Sequence, residues 1–142
     1  MTAPTPEDTA AAIEHVRAMP TWVGGDAHHI ASPFKQIDDA FIVITDVHWG
    51  KAKLRRVNID EIYSTSPRCD RDNVILHLEN GGTSVYKGDG ERLHDAPRLI
   101  QTADGDLIIA DGHHRLAADY WLGLTEQVCY VLRLDKKDEE HG

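Results

Sequence analysis

Leu107-Ile108-Ile109-Ala110-Asp111-Gly112-His113-His114-Arg115-Leu116-Ala117-Ala118 decides the architecture of this chain. The run Leu107–Ile109 is apolar and β-branched, as a strand requires. From Leu116 the apolar residues change period: Leu116, Ala117, Tyr120, Trp121 and Leu124 recur at helical spacing up to Gly123. Between the two, Asp111 is placed to cap the helix and Gly112 to make a tight turn. Strand, glycine turn and helix start therefore follow without a linker. Such a helix start presents unpaired N–H groups and the positive end of the helix dipole, which favours an anion. Arg115 offers a planar fork for phosphate, while His113 and His114 are able to donate hydrogen bonds or carry protons. The stretch is expected to be a phosphate-handling corner.

Upstream, Pro97-Arg98-Leu99-Ile100-Gln101-Thr102 reads as a second strand, joined to Leu107–Ala110 through the Asp104-Gly105 turn signal. Downstream, Gln127-Val128-Cys129-Tyr130-Val131-Leu132 reads as a last strand. A helix is expected from Asp70 to Leu78, with Val74, Ile75 and Leu78 on one face and Asn80-Gly81-Gly82 after it. Near the start, Thr5-Pro6-Glu7-Asp8 carries an N-cap, a proline at the first helical position and an acid three residues after the cap. That helix should end near Ala18, before Pro20. Phe41–Thr45 reads as a strand, Asp46–Gly50 and Ser64–Pro67 as turns, and Trp22–His29 as a solvated loop. The glycines between Gly81 and Gly90 make a connection able to move over a ligand, without a Walker pattern.

Lys51-Ala52-Lys53-Leu54-Arg55-Arg56 is the one dense basic cluster. Alternation through Leu54 and Val57 marks it as extended. Lys51, Lys53, Arg55 and Arg56 would form a positive rim that steers a polyanion. The whole chain of 142 residues nevertheless carries 24 acidic against 15 basic residues, a net charge of −9. That balance weighs against strong nonspecific DNA binding, which needs many cations on phosphates. Cys69 and Cys129 form no CxxC pair, and neither an HExxH pattern nor a cysteine cluster suggests a zinc site. With no apolar run of membrane-spanning length and no apolar leader, a cytoplasmic protein without a membrane partner is expected.

Asp111-Gly112-His113-His114-Arg115-Leu116-Ala117-Ala118 after a hairpin resembles the signature of the ParB/sulfiredoxin superfamily. The likeness runs from Val57 to Leu134 and is sharpest over Pro97–Leu132. It implies an α+β fold, a small mixed β-sheet with packed helices. It also implies three parts: an N-terminal extension over 1–56, a core over 57–134 and a charged tail over 135–142, making one globular domain. Within the superfamily the DGHHR form looks most like the phage-type ParB-like nuclease domain proteins. The resemblance then implies that Gly112, His113, His114 and Arg115 bind a phosphate of a nucleotide or DNA. His113 and Asp111 would serve as catalytic residues, with Mg²⁺ and a nucleotide such as ATP or CTP as cofactors. Its setting would be the cytoplasm of a bacterial or phage-infected cell.

Sulfiredoxins place a cysteine where this chain has His113, which disfavours that chemistry. No helix-turn-helix pattern follows Leu134, so a full segregation clamp is not expected. Three classes stand: a nuclease-like phosphodiesterase, a nucleotide-dependent small-molecule kinase or switch, and a catalytically inactive phage-encoded module that binds a host protein.

Overall fold

The computed structural model describes residues 5–22, 28–37, 46–80 and 96–134. The expected strand over 41–45, the glycine-rich connection over 81–90 and the tail over 135–142 lie outside the described residues.

Helix α1 (Pro6–Ala18) starts as its sequence dictates. Asp8 N–H donates to Thr5 Oγ1 at 3.1 Å and Thr5 N–H to Asp8 Oδ2 at 2.9 Å, a reciprocal capping box. The helix stops at Met19, whose extended backbone is the conformation that a following proline favours. Its buried Ala12 and Val16 face α3 (Arg71–Glu79), which Asp70 caps by accepting Asn73 N–H at 2.9 Å.

Among the described residues, eight strands make two sheets. β1 (His29–Ala31) and β5 (Arg68–Asp70) form an antiparallel pair. His29 therefore belongs to a strand and not to the loop expected there. The main sheet is mixed and six-stranded, in the order β2 (Lys35–Gln36), β4 (Ile62–Ser64), β7 (Leu107–Asp111), β6 (Arg98–Gln101), β8 (Glu126–Arg133), β3 (Lys53–Asn58). The expected hairpin is present: β6 and β7 are antiparallel, and Gly105 at φ +95° lies in their turn. β8 lies parallel to β6 and antiparallel to β3. Asp46–Trp49, expected as a turn, is a single helical turn, α2. Helix α4 (His113–Trp121) ends before Gly123, which takes φ +85°.

The result is an α+β fold with one mixed sheet. Its main core lies where α3 and α4 meet the sheet. Leu116, Ala117 and Ala118 of α4 pack with Val74 and Leu78 of α3 and with Leu99, Leu107, Cys129 and Val131 of the strands. At about 25 cal/mol per Å² of apolar surface removed from water, this burial is the main force holding α4 in place. β1, β2 and β3 are not an appendage to it. β1 and β2 pair with β5 and β4, and the boundary drawn at 56/57 falls inside β3. No helix among the described residues is long and apolar enough to cross a membrane.

Candidate functional site

The corner is built by an irregularity in the hairpin. The β6–β7 register shifts between Arg98, opposite Asp111, and Leu99, opposite Ile109. A bulge of this kind re-aims the strand end. Gly112 then takes φ +92° and begins α4. A Cβ at this position would lie 2.9 Å from Pro97 Cβ and 3.1 Å from Pro97 Cα. Both the left-handed backbone and the closeness of Pro97 demand glycine here.

Asp111 does not cap α4. It is the last residue of β7, held extended by the ladder, and its carboxylate reaches Arg115 Nη2 at 3.5 Å instead. Gly112 occupies the cap position, so no side chain caps this helix. The contrast with the other long helices is clear. α1 has Glu7 and Asp8 in its first turn and α3 has Asp72, whereas the first turn of α4 contains no acid. It contains Arg115, a cation at the positive end of its own helix. The Arg115 side chain is 20% exposed, and its partner Asp111 is 67% exposed, so solvent screens that ion pair.

The two histidines point into the protein. His113 Nε2 and Ser32 Oγ share a hydrogen bond of 2.8 Å. Ser32 Oγ also accepts Phe34 N–H at 3.3 Å. Burial, reinforced by the neighbouring His114, pushes His113 down to about 4. It is thus neutral at pH 7. His114 Nε2 accepts the main-chain N–H of Asp70 at 3.0 Å, which places the ring proton on Nδ1. Burial lowers the pKa of His114 as well; Asp70 opposes this and His29 adds to it. His77 on α3 is lowered by burial, then by Arg115 and His114. Among residues 112–115 Arg115 is the permanent side-chain cation, and burial lowers the pKa of the imidazoles around it. His113 and Asp111, expected to act together, are engaged separately, with Ser32 and Arg115.

Ser32 and Asp70 lie 81 and 44 residues from their histidine partners, and nothing in the local sequence signals either contact. The thiols take no part. Cys69 and Cys129 are buried, and burial pushes both up to about 12. Among the described residues, no group of three or more His, Cys, Asp or Glu side chains is arranged to hold a metal ion.

The basic cluster divides between the two faces of the sheet. Lys53 and Arg55 share one face of β3, opposite Val131 and Cys129, which face the helices. Arg56 lies on the other face, opposite Val128, and leaves the group. In its place comes Arg133, two residues beyond Val131 on β8 and opposite Gln101 of β6. Lys51, Lys53, Arg55 and Arg133 line a cavity of about 640 Å³ together with His48 of α2. Arg55 Nη1 donates to Gln101 Oε1 at 3.0 Å across its mouth. The buried Val131, Leu132 and Leu134 lie behind it. Gln101 and Arg133 lie at the turn end of the β6–β7 hairpin, whereas the corner lies at its open end. No family model, curated protein or solved structure matches the chain.

Proposed function

We propose that the protein binds a phosphate group, of a nucleotide or of DNA, at the Gly112–Arg115 corner. The fold that holds the corner would be of the ParB/sulfiredoxin kind, and the closest activity that of the ParB-like nuclease domain proteins. One observation carries the reading: α4 is the long helix with neither a side-chain cap nor an acid in its first turn, and Arg115 sits there instead. The bare N–H groups, the helix dipole and a guanidinium then add to a positive potential that an anion would relieve. His113 and His114 support this as positioning residues. Through Ser32 and Asp70 they fix the first turn of α4 against β1 and β5. His113 is neutral at pH 7, so it adds no charge of its own to the corner.

The test is a thermal-shift and calorimetric screen of CTP, ATP and pyrophosphate, with and without Mg²⁺, paired with a DNA-cleavage assay. The expected result is binding that Arg115→Ala weakens about ten- to a hundred-fold and Arg115→Lys restores in part, because the ammonium lacks the planar fork. If the intact protein binds none of these and cleaves no DNA, Arg115 is a structural residue and the proposal fails.

A further inference from the structure

The cavity between β3, β8 and β6 is separate from the corner and has its own chemistry. Four permanent cations, Lys51, Lys53, Arg55 and Arg133, line one space in a protein of net charge −9. Among the described residues no carboxylate pairs with Lys51, Lys53 or Arg133. Cations gathered in one space repel one another, and that repulsion is relieved when an anion enters. Several cations ask for a ligand with several negative charges. The volume of about 640 Å³ falls within the range of small-molecule sites, roughly 300–1,000 Å³. Val131, Leu132 and Leu134 also line it but are almost fully buried, so the surface a ligand meets is chiefly that of the cations.

The elements that form the cavity are well fixed. Lys53 and Arg133 stand on strands paired over six residues of β3, and Trp49 under Arg98, 5.5 Å from ring centroid to guanidinium, ties α2 to β6. Arg55 is already oriented by Gln101. Preorganised side chains lose less entropy on binding.

We propose that the cavity lined by Lys51, Lys53, Arg55 and Arg133 is a second anion site, which takes a polyphosphate chain, inorganic or carried by a nucleotide, against the cations. The assignment is independent of the corner and does not need it to bind anything.

The test is calorimetric titration of the intact chain with ATP, inorganic triphosphate and adenosine at about 0.1 M salt, and with a single-stranded oligonucleotide. Lys53 and Arg133 are exposed, so the double variants K53E/R133E and K53Q/R133Q should keep the wild-type melting temperature within a few degrees. Both ATP and triphosphate are expected to bind, adenosine weakly or not at all, and the tighter of the two identifies the source of the polyphosphate. K53Q/R133Q should weaken ATP about a hundredfold and K53E/R133E more than that, since each of the two charge-assisted contacts is worth about tenfold or more. Each titration is repeated in the Arg115→Ala background, where the corner no longer contributes, and the losses in the Lys53/Arg133 variants are read there. Failure to bind either ATP or triphosphate overturns the proposal, as does equal ATP binding by K53E/R133E and wild type. Loss of ATP binding in Arg115→Ala alone would assign the nucleotide to the corner instead. An oligonucleotide that binds through Lys53 and Arg133 more tightly than ATP would make the cavity a nucleic-acid surface and overturn the small-ligand assignment.

Discussion

His114 Nε2 accepts the main-chain N–H of Asp70 at 3.0 Å, while the Asp70 carboxylate accepts Asn73 N–H at 2.9 Å. One residue thus caps α3 with its side chain and ties down α4 with its backbone. The starts of the two helices that cover the sheet are held in a fixed relation by this pair.

His114→Phe keeps the ring volume but leaves the half-buried Asp70 N–H without its acceptor. An unsatisfied donor of this kind costs about 1–3 kcal/mol. A urea titration should show the midpoint falling with the slope unchanged. An unchanged midpoint would mean that water replaces the imidazole at no cost.

Acid should weaken the fold through His113. Its pKa is about 6.5 unfolded and about 4 folded, so the unfolded chain takes up the proton first. Stability is then fully present above pH 6.5, declines as the pH falls toward 4, and changes no further through this group below that. His77 and His114 shift in the same direction. His113→Phe should remove about one proton from the pH dependence between those limits. A stability profile as steep as wild type would place the titration elsewhere.

Gly105 and Gly112 have nearly the same backbone, φ +95° and +92°, but different surroundings. A Cβ at Gly105 meets nothing within 4 Å, whereas one at Gly112 meets Pro97 at 2.9 Å. Gly105→Ala should cost the left-handed strain, about 1–2 kcal/mol. Gly112→Ala should cost that plus overpacking, a further ~1–3 kcal/mol. Chemical denaturation of both variants checks the difference; equal losses would show that Pro97 yields freely.

The helix caps should be separable from the corner. Thr5→Ala removes one half of the capping box and should cost about 0.5–2 kcal/mol without altering any ligand binding. Its unfolding curve and an ATP titration together check this. A binding change would tie α1 to a site that it does not touch.

The sequence by itself determined the local grammar of this protein. The hairpin around Asp104-Gly105, the capped start of α1, the buried face of α3 and the glycine that opens α4 were all legible, because periodicity, capping and positive φ act over a few residues. Asp111 was misjudged as a cap because pairing with Arg98 in the ladder overrode its local preference. The short strands β1, β2, β4 and β5 left no pattern of their own, since two or three residues cannot show a period. The tertiary structure alone decided what the charged and titratable groups do. The partners of His113 and His114 lie 81 and 44 residues away. Arg133 joins Lys53, and Arg56 does not, because of the β3–β8 register. Which groups share a face or a hydrogen bond depends on strand order and register, and these follow from burying the whole core at once rather than from any one segment.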